Sequence, residues 1–114
     1  MKSKIIALSK NEDFKSLLQK KKISNKYVTL FFGKLEKKNN RKLNISFVAK
    51  KKQIKSAVKR NKVKRRLRNI MNDLVKNLSI NFNLSYLIIA KTTMLNNEYQ
   101  VIKETLFQDF KKIK

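Results

Sequence analysis

The chain contains no cysteine, no histidine, no proline and no tryptophan, and its one glycine is Gly33. Without thiols or imidazoles there is no disulfide scaffold, no zinc finger, no thiol nucleophile and no imidazole base. The lack of cysteine also suits a reducing cytosol. Turns, deprived of proline and almost of glycine, must be built from Asn, Ser and Lys. Acid is scarce as well: seven Asp and Glu stand against thirty Lys and Arg, a formal charge of +23. No run approaches the roughly 18 apolar residues of a membrane-spanning helix. The only apolar stretch of the first ten residues, Ile5–Leu8, is too short for a signal-peptide core. The expectation is a soluble, cytoplasmic protein with no membrane partner.

What remains is enough to fold. Hydrophobic residues make up 41% of the 114, which separates the chain from a disordered polycation. There is no internal repeat, no low-complexity tail and no linker, so residues 1–114 read as one domain. A compact body carrying this much positive charge repels itself unless a polyanion neutralises it. Nucleic acid is the leading candidate and an acidic membrane surface the weaker one.

The charge is concentrated. Between Glu36 and Asp73 there is no acid, and half of the thirty cations fall in that interval. Lys37, Lys38, Arg41 and Lys42 open it; a denser block follows from Lys50 to Arg68.

Periodicity supplies the elements. Ser9-Lys10-Asn11-Glu12 fits a capping box. Phe14, Leu17 and Leu18 then follow at helical spacing, predicting a helix over 10–20. Residues 26–32 alternate as a strand, with Val28, Leu30 and Phe32 on one face and Tyr27, Thr29 and Phe31 on the other. Residues 43–49 form a second strand after a polar loop at 34–42. From 56 to 78 the pattern is helical, with Val63, Leu67, Ile70, Met71, Leu74 and Leu78 on one arc. A buried strand at 84–90 and an amphipathic helix at 96–112, burying Tyr99, Ile102, Leu106 and Phe110, complete the chain. The order α-β-β-α-β-α predicts an α+β sandwich, a mixed sheet packed by helices.

On the long helix Asn61, Arg65, Arg68 and Asn72 are spaced 4, 3 and 4 apart and share a stripe flanked by Lys64. Guanidinium groups in a row suit phosphates because each offers a planar bidentate fork. Asn adds a group that both donates and accepts. Lys59, Lys62 and Arg66 point to another side, and Arg60 falls within the apolar arc near the helix start, from which it can reach past the end of the core. A charge run is ordinarily a solvated face, but such a face mixes both signs, and this one holds no acid for some five turns.

Val48-Ala49-Lys50-Lys51, followed by Ala57-Val58-Lys59-Arg60-Asn61-Lys62-Val63-Lys64-Arg65-Arg66-Leu67-Arg68, resembles the signature of the protein component of bacterial ribonuclease P. Lys10-Asn11-Glu12-Asp13-Phe14 is similar to that family's opening helix, and Tyr86-Leu87-Ile88-Ile89-Ala90-Lys91 to its third core strand. The resemblance implies a sandwich with a left-handed β-α-β crossover, as in a ribosomal protein domain, where chain physics alone favours the right-handed form. It implies that Arg60, Asn61, Lys62, Lys64, Arg65 and Arg68, with Lys50 and Lys51, contact the catalytic RNA subunit. It further implies a cleft for the single-stranded 5′ leader of precursor tRNA, with Phe14 on its helix side and Tyr27 or Phe31 on its sheet side. All three aromatics also suit a plain core. The sequence departs from the family pattern at Lys62, where arginine is usual, at Leu18, where a second aromatic is usual, and around Lys52-Gln53, where the loop is longer.

No carboxylate pair or His/Cys cluster is available to cleave a phosphodiester. The resemblance implies that the RNA subunit and its Mg²⁺ perform the chemistry, with a monomeric protein, one per RNA subunit, that does not cleave alone. Three rivals share the charge: a ribosomal or other structural RNA-binding protein without a role in cleavage, a DNA-compacting protein, and a membrane-active cationic peptide-like protein, which the evenly distributed core disfavours.

Overall fold

In the computed structural model, which describes residues 5–8, 11–35, 42–77 and 80–113, five strands build one sheet. They are Ile5–Ile6 (β1), Lys21–Ser24 (β2), Val28–Gly33 (β3), Leu43–Val48 (β4) and Ser85–Ala90 (β5), in the order β1-β4-β5-β3-β2. β1 and β5 run parallel to β4, whereas β3 is antiparallel to both β5 and β2. The helices are Asn11–Leu18 (α1), Ala57–Asn77 (α2) and Tyr99–Lys111 (α3), with a 3₁₀ helix at Thr92–Asn96. α2 is the crossover between the parallel neighbours β4 and β5, so the expected α+β sandwich with a mixed sheet is present.

The differences from the sequence reading are local. β1 and β2 are short edge strands whose pairing comes from the sheet rather than from any run of apolar alternation; β2 reads Lys-Lys-Ile-Ser. The first helix stops at Leu18, because the chain turns at Gln19 and Lys20 and already pairs at Lys21. The last helix starts at Tyr99, because Thr92–Asn96 close as a 3₁₀ helix and Asn97 and Glu98 stay extended. Ser9 and Lys10 of the expected capping box, and Leu78 of the apolar arc, lie outside the described residues.

Both faces of the sheet are covered. Val63, Leu67, Ile70, Met71 and Leu74 of α2 join Ile102, Leu106 and Phe110 of α3 over Val28, Leu30, Leu43, Ile45, Tyr86 and Ile88. On the other face α1 drives Leu17, fully buried, against Leu8 and Leu87, with Phe14, Phe31, Val48 and Ile89 around them. Burying one such leucine contributes about 1.5–3 kcal/mol. β5 serves both cores by strand alternation, Tyr86 and Ile88 facing α2 and Leu87 and Ile89 facing α1.

The β2–β3 turn shows how the chain manages without proline. The Asn25 Oδ1 accepts the backbone amides of Tyr27 (2.7 Å) and Val28 (2.9 Å), a side-chain mimic of a backbone turn. Its Nδ2 donates to Asp109 Oδ2 at 2.5 Å, and Lys91 Nζ donates to the Asn25 carbonyl at 2.6 Å and to Ser24 Oγ at 2.8 Å. The hairpin is thereby fastened to α3 and to the end of β5.

Candidate nucleic-acid interface

The basic helix is anchored at its start. Ser56 Oγ accepts the Lys59 amide at 3.3 Å, as a helix N-cap does. Upstream, the Lys50 carbonyl accepts the amides of Gln53 (3.1 Å) and Ile54 (2.9 Å), and the Ile54 side chain is buried. That turn fixes the exposed Lys50 and Lys51 beside α2 instead of leaving them on a free loop.

Along α2, Asn61, Arg65 and Arg68 are exposed and Lys64 and Asn72 are half-buried, on a stripe beside the buried Val63, Leu67 and Ile70. The first turn has no acid. Like charges meet at Arg60/Lys64, Lys62/Arg66 and Lys64/Arg68, each i,i+4 pair costing about 0.2–0.5 kcal/mol. The helix dipole adds to the same positive sign at this end. The helix forms because its apolar arc is packed, and the repulsion is left for an anion to relieve. The one acid of α2, Asp73, is engaged away from the stripe: it accepts the Tyr99 hydroxyl at 2.9 Å and lies 3.3 Å from Lys103 Nζ. The Tyr99 hydrogen bond holds the Asp73 carboxyl below its ordinary value, against the opposing pull of burial and with help from Lys103.

A cleft of about 620 Å³ opens where the stripe meets the sheet edge. β1 covers β4 only at Leu43 and Asn44. The chain then leaves the strand, and the Leu8 amide donates to Ser46 Oγ at 2.8 Å rather than to the β4 backbone. The uncovered part of β4, from Ile45 to Val48, forms one wall with Ala49 just beyond it; Phe14 of α1 forms another; Lys64 and Arg68 of α2 close it. Among the described residues no carboxylate lines this cleft. Two half-buried rings, Phe14 and Phe47, thus share it with two cations. Rings on which bases stack, next to cations for phosphates, are the means by which single strands are held without regard to sequence.

The structure separates the residues singled out in the sequence. Phe14, Lys64 and Arg68 come together in the cleft, and Lys50 and Lys51 follow its lining residue Ala49. Asn61 and Arg65 extend the exposed stripe beyond it. Arg60 is turned back: its Nη1 donates to the carbonyls of Ile54 (2.9 Å) and Lys55 (2.8 Å), clamping the loop before the helix. Lys62 lies on the opposite flank with Lys59 and Arg66, near Leu95 and Asn96. Phe31 is half-buried on the α1 face of the sheet, packed in the Leu17 cluster and outside the cleft lining. Tyr27 is a correction. It is 5% exposed in the main core, because it precedes β3 and the Asn25 turn swings it to the α2 face with Val28. Phe47 is the lining residue that alternation missed; its spacing with Leu43 and Ile45 reads as core, and only the early end of β1 leaves it reachable.

Among the described residues no group of three or more acidic side chains could hold a metal ion, and no helix is long and apolar enough to cross a membrane.

The model of the family described as Ribonuclease P matches residues 3–114. The ribonuclease P protein component of Carboxydothermus hydrogenoformans is 31% identical over 110 residues, covering 94% of this chain and 90% of the relative. The solved ribonuclease P protein of Thermotoga maritima superposes with a TM-score of 0.78 at 22% identity, over 96% of this chain and 98% of that one. The Staphylococcus aureus protein gives 0.74 at 21% identity, over 94% and 93%.

Proposed function

This chain belongs to the ribonuclease P protein family, and we propose that its stripe and its cleft serve two different RNAs. As a ribonuclease P protein it is a subunit of the enzyme that matures tRNA 5′ ends, and its partner is the ribonuclease P RNA. In the proposed arrangement Asn61, Arg65 and Arg68, with Lys50 and Lys51, dock on phosphates of the RNA subunit. The cleft takes the single-stranded 5′ leader of precursor tRNA, its bases against Phe14 and Phe47 and its phosphates against Lys64, with Arg68 at the boundary between the two RNAs.

The observation that carries this reading is the meeting of Phe14 with Lys64 and Arg68 in one cleft with no acid among its described lining residues. It joins a stacking surface to the helix that bears the cationic stripe. Two polyanions brought side by side repel each other, and a rigid row of cations between them lowers that cost.

The cleft's amine, guanidinium and aromatic groups do not fit a divalent cation, so Mg²⁺ belongs on the RNA subunit and the substrate. There it supplies the activated water and the neutralisation of the scissile phosphate. The protein holds the leader, screens charge and does not itself cleave. One protein per RNA subunit, acting in the cytoplasm, completes the proposal. Reconstitution tests it. Added to a bacterial ribonuclease P RNA and precursor tRNA at low Mg²⁺, the protein should restore 5′ maturation. Absence of stimulation, or cleavage by RNA-free protein, would overturn the proposal.

A further inference from the structure

We infer a second RNA contact at the opposite edge of the sheet: a pocket that takes one unstacked, phosphate-bearing nucleotide of the ribonuclease P RNA. The pocket, of about 520 Å³, lies between the end of α1 and the β2–β3 hairpin. Lys20, Lys21 and Lys34 line it together with Phe32, Gly33 and Leu84. The three lysines are exposed, and among the described residues none has an acidic partner. Phe32 is half-buried, so its ring is held by the core while remaining part of the pocket wall. A fixed ring and three mobile ammonium groups match the two halves of a nucleotide, the base by stacking and the phosphate by charge. Gln19, on the same lining, adds an amide that both donates and accepts at a base edge.

Gly33 explains how Lys20 reaches the site. A Cβ built there would stand 2.8 Å from Lys20 Cγ and 2.9 Å from Lys20 Cβ. The only glycine of the chain is therefore needed for room: it lets the stem of Lys20 lie across the end of β3.

The position argues for the RNA subunit rather than the leader. Phe31 faces the α1 side of the sheet, whereas Phe32 packs on the side covered by α2 and α3. The pocket thus wraps the sheet edge, with Phe32 on the side of the helix that bears the stripe and Lys20 over Gly33 on the α1 side, while the leader cleft lies at the other sheet edge. From β4 to β2 there are three strand spacings, about 14 Å. An RNA seated on the stripe can therefore reach both ends of the sheet.

The inference rests on the reading of the stripe as the RNA-subunit surface, and the test separates the two. The variant K21A/K34A is compared with K111A/K112A, which removes the same charge at exposed lysines at the end of α3, each in complex with ribonuclease P RNA over a range of salt. For K21A/K34A the slope of log affinity against log salt should fall by about 1.4, two single-strand contacts at about 0.7 each. The control should leave the slope in place. Ultraviolet crosslinking of the assembled complex should attach Phe32 to an RNA-subunit nucleotide. Equal losses in both variants, or a Phe32 crosslink only to the precursor leader, overturn the pocket. If R65A weakens assembly while K21A/K34A behaves as the control, the pocket alone fails. If neither R65A nor K21A/K34A changes affinity, the reading of the stripe fails with it.

Discussion

Two adjacent arginines on α2 ought to fail in opposite ways. Arg65 is exposed on the stripe, three residues from Lys62 and from Arg68, so its charge is repelled from both directions. Replacing it with alanine removes two like-charge neighbours, each worth a few tenths of a kcal/mol, and places the best helix former in the interior of the helix. Arg65→Ala should therefore raise stability by about 0.5 kcal/mol, roughly 2 °C in a domain of this size. It should weaken assembly with the RNA subunit by about 1–3 kcal/mol, the range of a charge-assisted contact, and flatten the salt slope by about one contact. Arg66 is half-buried and its Nη1 donates to the carbonyls of Met94 (3.3 Å) and Asn97 (3.4 Å), tying the 3₁₀ helix to α2. Both bonds are long, so Arg66→Ala should cost about 1 kcal/mol of stability and little affinity. Thermal denaturation and filter binding from 50 to roughly 200 mM salt read both quantities. If Arg65→Ala destabilises the fold, or leaves affinity unchanged at every salt concentration, the division between stripe and scaffold is wrong. So it is if Arg66→Ala matches it in lost affinity.

Phe14→Ala should spare RNA-subunit binding yet reduce the preference for precursor over mature tRNA; competition between the two substrates measures this, and an unaltered preference would place Phe14 in the core alone. Leu17→Ala, at a fully buried position, should cost about 2–5 kcal/mol and loosen α1 from the sheet, visible as a lower denaturation midpoint and faster amide exchange in residues 11–18. Tyr99 is pushed up to about 12, by burial first and by Asp73 second. Because the folded value is the higher one, its contribution is intact below pH 10 and is lost as pH rises toward 12. Tyr99→Phe should shrink that alkaline loss while leaving the share due to Tyr86, which burial also raises, and should let the Asp73 carboxyl rise toward its ordinary value in a carbon-detected NMR titration.

The legible parts of this molecule are those whose cause is local. Helix α2 and its stripe follow from spacings of three and four, and β3, β4 and β5 from alternation or a short apolar run, so their faces could be assigned from the sequence. β1 and β2 could not, since two and four mostly polar or isolated residues acquire strand geometry only from the neighbour that pairs with them. The same dependence on neighbours explains the site residues that moved. Alternation carried Tyr27 to the outer face by starting β3 two residues too early, whereas the Asn25 turn reverses the chain there. Arg60 sits in the basic motif, but the loop carbonyls of Ile54 and Lys55 lie within its reach only because of how the chain approaches α2. Phe47 lines the cleft because β1 ends early, a fact about a different segment.

The Asn25 turn also bears on how quickly the protein becomes competent. An amide side chain closes that corner by forming hydrogen bonds, with no rotation about an imide bond, a step that takes tens to hundreds of seconds where proline is present. The whole chain is free of such bonds. A newly synthesised molecule can then reach its RNA-receptive shape without a prolyl isomerase, and meets its partner as a single population instead of fast and slow conformers.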